Sequence, residues 1–195
     1  MASTAGILLT GGRSRRLGVD KASLLVDGEM LAVRSGRRLA AVCSPVLEVG
    51  DGVSGLRSVR EQPARSGPLA ALAAAGAALR EAGHAGAGLV LGVDLPAVDE
   101  SLLRWLRDRP GEPTAVPRVE GRLQMVCARY GDDALLAAQS LVSGGVRSLH
   151  ELLDVVEFDI VEESEWSAVA SADTFADVDT PDDARRWGIE LPGLA

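Results

Sequence analysis

The sequence predicts an α/β fold, a three-layer α/β/α domain built on a mostly parallel, mixed sheet. Two observations carry that expectation. Short apolar runs ending in glycine alternate with segments of helical periodicity along the whole chain, the pattern of strands joined by crossover helices. The length, 195 residues with 47% apolar and 25% charged side chains, suits one domain whose core needs neither disulfide nor structural metal. No repeat or low-complexity linker divides the chain, so residues 1–195 are read as a single domain.

Each element follows from its local pattern. Residues 5–10 (Ala-Gly-Ile-Leu-Leu-Thr) form a buried strand that runs into Gly11-Gly12. Residues 29–42 carry Met30, Val33, Leu39 and Val42 at near-helical spacing, and residues 46–49 read as a second strand turned by Gly50-Asp51-Gly52. Gly67-Pro68 starts an alanine-rich helix to about Arg80, with proline at a tolerated first-turn position. Residues 88–93 are another buried strand, ending at Asp94-Leu95-Pro96. Residues 101–107 and 132–142 are helical, while residues 114–116 and 123–128 are strands. Residues 155–161 alternate apolar and acidic side chains as a half-exposed strand would. A last helix begins at Thr180-Pro181, with Thr180 as its N-cap.

Composition removes several functions. The two cysteines, Cys43 and Cys127, lie in apolar contexts without a CxxC pair, which argues against a disulfide framework or zinc site and for a reducing cytoplasm. No apolar stretch approaches the ~20 residues that span a bilayer, and the start of the chain lacks a charged secretory leader. A net charge of −8 is a poor match for general nucleic-acid binding. Neither His84 nor His150 neighbours a Ser or Cys in a nucleophile motif, and there is no GxSxG elbow. The remaining reading is an enzyme with no nucleic-acid or membrane partner.

In parallel sheets ligands sit beyond the carboxyl ends of the strands, and three such ends carry chemistry. The first is the segment from Leu9 to Lys21, with Gly11, Gly12 and Gly18 interleaved with Arg13, Arg15 and Arg16. Paired glycines let backbone N–H groups approach phosphate oxygens, and the basic side chains add charge. The spacing is neither GxGxxG nor a P-loop. Of 20 basic residues only Lys21 is lysine, so a compact, mobile ammonium stands where arginine is otherwise the rule. A solvated basic turn is the plain alternative. The second end is Asp94, placed to hold Mg²⁺ with substrate phosphates or simply to form a turn. The third is residues 175–183, where Asp182 and Asp183 suit the helix dipole. Asp177 and Asp179 reach toward the cleft or serve as caps, Asp177 more readily as a cap.

The run Leu9 to Ala22 resembles the signature of the molybdenum cofactor guanylyltransferases (molybdopterin-guanine dinucleotide biosynthesis protein A-like nucleotidyltransferases), close to LAGGxSxRMGxDKA. The match takes in Gly11, Gly12, Ser14, Arg16, Gly18, Asp20 and Lys21. Gly67-Pro68-Leu69-Ala70, Asp94-Leu95-Pro96 and Val178-Asp179-Thr180-Pro181 follow in the family's order, so the resemblance spans nearly the whole chain. It implies a Rossmann-like nucleotidyltransferase domain that moves GMP from GTP to the terminal phosphate of molybdopterin, releasing pyrophosphate with Mg²⁺ as cofactor. Arg16, Lys21 and Asp94 are then the catalytic residues, and Leu9, Thr10, Gly11, Gly12, Lys21, Gln62, Gly67 and Asp94 hold the nucleotide. Backbone N–H groups of Thr10, Gly11 and Gly12 would face the triphosphate. Asp94 and Asp179 would ligate Mg²⁺, and Arg147 and Ser148 would meet the acceptor in the C-terminal half. Transient contact with molybdoenzymes or cofactor-handling proteins follows from the same resemblance.

Several positions depart from the family pattern. Thr10 replaces the usual small Ala and Leu17 the usual Met. Gln62 stands where an Asp often helps bind nucleotide, Gly50 where an Asn contact is expected, and Asp179 where better-known members have Asn. The last three bear on the base. Two alternatives therefore stay open: a cytidylyltransferase or other nucleotidyltransferase acting on a phosphorylated small molecule, and a catalytically silent nucleotide-binding regulator.

Overall fold

The computed structural model describes residues 3–11, 17, 19–64 and 66–191. Strand β1 (Ala5–Leu9) is wholly buried. A 3-10 turn at Lys21–Ser23 follows, its N-cap Asp20 accepting from the Ala22 N–H at 3.1 Å. Two short strands, β2 (Leu25–Val26) and β3 (Glu29–Met30), lead into helix α1 (Leu31–Ala40). Strands β4 (Val46–Val49) and β5 (Arg57–Val59) precede helix α2 (Pro68–Glu81), which has proline in its first turn. Strand β6 (Gly88–Gly92) leads to helix α3 (Glu100–Asp108), capped by Asp99 on the Leu102 N–H.

The second half holds strands β7 (Ala115–Val119), β8 (Arg122–Leu123) and β9 (Cys127–Tyr130). Helices α4 (Asp132–Ser143) and α5 (Leu149–Leu153) come next. Strand β10 (Asp159–Val161), helix α6 (Glu163–Trp166), helix α7 (Pro181–Arg186) and strand β11 (Ile189–Glu190) close the described chain.

The main sheet runs β10-β7-β9-β6-β1-β4-β5, with β8 paired to β7. Strand β1 lies between β6 and β4 and is parallel to both, β5 is parallel to β4, and β9 runs against β6 and β7. One face is covered by α2, α4 and α5 through Leu69, Leu72, Leu135 and Leu152. The other is covered by α1, α3 and α6 through Leu39, Leu102, Leu106 and Trp166. This is the three-layer α/β/α architecture with a mostly parallel mixed sheet that the alternation predicts. Helix α2 is apolar almost all round because it is nearly enclosed. Gly76 lets it approach α4, since a Cβ there would lie 3.1 Å from the Leu135 Cβ.

A small antiparallel sheet, β11-β2-β3, lies apart from the main one. It packs Ala22, Leu24 and Val26 with Val93, Val178 and Ala184 into a third apolar cluster. That cluster ties the Lys21 turn to the end of β6 and to the segment before α7.

Four boundaries differ from the sequence reading. The helix expected over residues 29–42 starts at Leu31, because Glu29 and Met30 pair with β2 as a hairpin. The strand expected over residues 123–128 breaks at 124–126, where the Cys127 N–H turns back to the Gln124 carbonyl at 3.0 Å. Of residues 155–161 only 159–161 are a strand, because the chain first has to unwind from α5 through the Asp154 and Val155 turns. The strand at 114–116 instead covers 115–119. Both cysteines are buried and unpaired. Among the described residues no helix is long and apolar enough to cross a membrane.

Candidate active site

The carboxyl ends of β1, β4 and β6 converge on one edge of the sheet. Beyond β6, Asp94 turns back toward β1. Gly92 makes this turn sterically open, because a Cβ there would lie 2.6 Å from Asp94 Oδ1. The Val93 N–H donates to the Leu9 carbonyl at 3.0 Å, which fixes Asp94 beside the end of β1. The Val178 N–H donates to the Asp94 carbonyl, also at 3.0 Å, so the segment 177–179 docks against the same strand end. Its backbone is held in turn by Asp183, whose Oδ2 accepts from the Asp179 and Thr180 N–H groups at 3.1 and 2.8 Å. Thr180 is the N-cap of α7, as its position predicts, and it answers Asp183 in a reciprocal capping box.

Lys21 closes the site. Its ammonium donates to Asp179 Oδ1 at 2.5 Å and to Asp94 Oδ2 at 3.3 Å. The residue is only 8% exposed, so the solvated basic turn offered as an alternative does not describe it. Burial alone would push its pKa down, but the Asp179 hydrogen bond and the charges of Asp94 and Asp179 outweigh that and hold it above the ordinary lysine value. Asp177 is the third carboxylate nearby. Partial desolvation, then the charges of Asp179 and Asp94, raise its pKa, with Lys21 pulling the other way. The capping role considered for Asp177 belongs to Thr180.

The cation contact shows what the two carboxylates can do. Oxygens from Asp94 and Asp179 already meet on a single ammonium. Two carboxylate oxygens plus phosphate oxygens are a donor set that Mg²⁺ accepts. Among the described residues no group of three or more His, Cys, Asp or Glu forms a metal cage, so a cation here would need oxygens from a ligand to complete its shell.

The remaining predicted residues fall in three places. Gly12 and Arg16 lie outside the described residues, as do Arg13, Ser14, Arg15 and Gly18. Leu9 is a core residue whose carbonyl is taken by Val93. The Thr10 N–H donates to the Val49 carbonyl at 3.1 Å, which corrects its reading as a phosphate-facing amide: the ladder to β4 has claimed it. Gly11 is exposed at the site. Gln62 is exposed, whereas its neighbour Glu61 is buried with Oε1 3.8 Å from where a Cβ on Gly11 would lie. Glu61 is thus the member of that pair set against Gly11, and no local pattern marks which of the two would turn inward.

Gly67 caps α2 with φ +94°, and a Cβ on it would sit 3.7 Å from the Arg147 carbonyl. It therefore neighbours the residues expected for the acceptor. The Arg147 guanidinium donates to the Val142 and Val146 carbonyls at 3.1 and 2.7 Å, closing the end of α4. Ser148 is the N-cap of α5, its Oγ accepting from the His150 N–H. Both border a cavity of about 380 Å³ that is also lined by Pro68, Gln124, Met125 and His150. The break between β8 and β9 makes this cavity. Its backbone is held by the Tyr130 hydroxyl on the Met125 carbonyl and by the Gly92 N–H on the Val126 carbonyl, each 2.7 Å. The second bond joins the cavity wall to the strand that carries Asp94. Gln124, Met125 and His150 carried no motif, and only the folded loop brings them together.

Residues 6–174 match the family model described as MobA-like NTP transferase domain. A protein of Pelotomaculum thermopropionicum, described as "probable molybdenum cofactor guanylyltransferase", is 31% identical over 94% of this chain and 91% of its own length. One from Opitutus terrae with the same description is 35% identical over 78% of each. The crystal structure of molybdopterin-guanine dinucleotide biosynthesis protein A from Archaeoglobus fulgidus superposes with a TM-score of 0.78 at 20% identity, covering 95% of this chain and 97% of that one. The 2-C-methyl-D-erythritol 4-phosphate cytidylyltransferase of Thermus thermophilus gives 0.63 at 20% identity, covering 96% and 98%. The two structures show likeness of fold.

Proposed function

Since this chain belongs to the MobA-like NTP transferase domain family, we propose that it transfers GMP from GTP to the terminal phosphate of molybdopterin, forming the guanine dinucleotide cofactor and pyrophosphate. The observation that carries the reading is Lys21 bridging Asp94 and Asp179 at the carboxyl edge of the sheet, beside the glycine loop that follows β1. The relatives named as guanylyltransferases support the choice of substrates.

A phosphate oxygen of the acceptor forms a bond to the α-phosphorus of GTP, and the bond from that phosphorus to the β-phosphate bridge oxygen breaks. A phosphate monoester is largely ionised at pH 7, its second pKa being about 6, so no side chain needs to remove a proton from the nucleophile. The protein's work is to position two anions and offset their charge. Gly11 lets the triphosphate approach the backbone. Lys21 can swing from its two carboxylates toward the phosphate oxygens, because its four-carbon stem is flexible. Asp94 and Asp179 would hold Mg²⁺, which supplies Lewis-acid stabilisation of charge on the phosphates. The cavity beside Arg147 would seat the acceptor, on the β9 side of Asp94.

Pyrophosphate release tests this directly, measured with Mg²⁺ and each of GTP, CTP, ATP and UTP, with and without molybdopterin. Release that requires molybdopterin and occurs with GTP alone is the expected result. Release with CTP alone would move the assignment to a cytidylyltransferase. Tight nucleotide binding without release under any condition would make the protein a silent nucleotide-binding regulator.

A further inference from the structure

Helix α1 carries three arginines, and they are used differently. Arg34 and Arg37 pair with Asp27 and Glu29 of the β2–β3 hairpin at 3.3 and 3.1 Å. Arg38 turns the other way, and its Nη1 donates to the Pro96 carbonyl at 2.8 Å and to the Val98 carbonyl at 2.5 Å. Both carbonyls belong to residues 95–98, the turn that joins Asp94 to Asp99, the N-cap of α3.

That turn is weakly held from within. The Leu95 N–H reaches the Gly92 carbonyl, and the Val98 N–H the Leu95 carbonyl, at 3.4 Å each, beyond the usual hydrogen-bond range. Pro96 has no N–H to give. Leu95, Pro96 and Val98 are nevertheless buried, so carbonyls freed from the guanidinium would have to open the turn to water or go unpaired. The upstream side of Asp94 is fixed by the Val93 bond to β1, and its own carbonyl by the Val178 N–H. Arg38 supplies the hold on the downstream side.

The same helix holds Lys21. The Leu24 N–H donates to the Lys21 carbonyl at 3.2 Å, and the N–H of Leu31, the first residue of α1, donates to the Leu24 carbonyl at 2.8 Å. Leu31 and Arg38 are two helical turns apart and lie on one face. Helix α1 thus grips the Lys21 turn with its first residue and the Asp94 turn with Arg38, and its length sets one against the other. Resting on the nucleotidyltransferase reading above, we infer that Arg38 is a positioning residue that acts through Asp94: it fixes the Asp94 carboxylate beside Lys21 and Asp179, and so sets how strongly Mg²⁺ couples to nucleotide binding.

The test is GTP affinity by calorimetry without acceptor, measured with Mg²⁺ and again in EDTA, on the wild type, Arg38→Met, Arg38→Lys and Arg107→Met. The readout is the enhancement of affinity that Mg²⁺ gives. Arg38→Met should reduce it about tenfold, the lower end of what losing a support behind a metal ligand costs, with affinity in EDTA little changed. Arg38→Lys returns a donor on a shorter stem and should fall between Arg38→Met and the wild type. Arg107 donates to the Val42 carbonyl at 2.5 Å, away from the site, so Arg107→Met should lower the melting temperature and leave the enhancement alone. A merely structural Arg38 would behave in the same way. Arg38→Met with a lower melting temperature and an intact enhancement therefore overturns the inference, as does an equal loss of enhancement in Arg107→Met. If Arg38→Met does not fold, Arg38→Lys decides, and an enhancement equal to that of the wild type counts against it. A wild type that binds no GTP overturns the guanylyl-transfer reading and this step with it, and one that binds equally well in EDTA overturns the Mg²⁺ site. A wild-type enhancement that survives in Arg38→Met overturns only this step.

Discussion

Replacing Lys21 by Met removes the ammonium that joins Asp94 to Asp179, and the consequences for stability and metal affinity run in opposite directions. The ammonium lies 3.3 Å from one carboxylate and 2.5 Å from the other, with their side chains 30% and 43% exposed. At such separations a pair is worth about 1 kcal/mol in water and about 4 kcal/mol near a protein surface. Solvent screening of half-exposed carboxylates and the desolvation of the buried ammonium reduce the sum to about 2 kcal/mol. For a chain of this size that lowers the melting temperature by about 4–8 °C. The variant also leaves Asp94 and Asp179 facing each other with Asp177 close by. If the two carboxylates form a divalent-cation site, Mg²⁺ should now enter without displacing the ammonium. At ten times its dissociation constant it would restore about 1.4 kcal/mol, most of what was lost. In the wild type, without nucleotide, the ammonium holds the same oxygens and Mg²⁺ should stabilise less. Thermal melts of both proteins against Mg²⁺, with Na⁺ at matched ionic strength as control, measure this. Turnover of the variant should fall by about 10²–10³ from the loss of charge stabilisation. Equal stabilisation of both proteins by Mg²⁺, or none in the variant, would refute the argument that the ammonium occupies the cation position.

The other predictions concern the supports of the site and the fold. Gly92→Ala places a methyl 2.6 Å from Asp94 Oδ1 and should reduce kcat/KM by about 10–100-fold through misplacement of that carboxylate; an unchanged value would show that Asp94 position is not critical. Arg129 is buried and donates to the carbonyls of Leu106, Arg107, Arg109, Glu112 and Pro113. Arg129→Met strands these acceptors and should cost about 3–5 kcal/mol, seen as a melting temperature about 10 °C lower, and a shift under about 2 °C would contradict the count of bonds. Glu48 has its pKa held below the ordinary carboxylate range because its hydrogen bonds to Ser54, Thr10 and Gly52 outweigh burial. A lowered folded-state value means that its stabilisation is complete above the unfolded value of about 4.3 and is lost as pH falls through the folded one. Acid melts of wild type should therefore be steeper than those of Glu48→Gln, and identical acid limbs would remove that contribution. Lys21 has the opposite sign, with a raised folded-state pKa. Its contribution is complete below about pH 10.4 and fades as pH rises through the folded value, so the alkaline limb should flatten in Lys21→Met.

What the sequence determined by itself was local: the buried runs of β1, β4 and β6, the start of α2 at Gly67-Pro68, the Thr180 cap of α7, and through them a parallel sheet whose strand ends should carry the chemistry. Those features depend on backbone dihedral preference and on apolar periodicity over a few residues, both of which are written in the chain. The glycine-rich basic loop that ends at Lys21 and the turn at Asp94 were legible for the same reason. The tertiary structure decided everything that needs two distant segments to meet. Lys21 finds Asp94 73 positions away and Asp179 158 positions away, and the small β11-β2-β3 sheet with its apolar cluster, together with the Val93–Leu9 and Val178–Asp94 backbone bonds, sets that distance. Those strands are two residues each, too short to leave a period. Glu48 reads as an acid misplaced in an apolar strand until the turn at residues 52–54 folds back over it, and Thr10 and Gly50 look like separate substitutions until β1 and β4 set them side by side. A buried polar group is decided by which donors packing brings within reach, and that is a property of the whole fold.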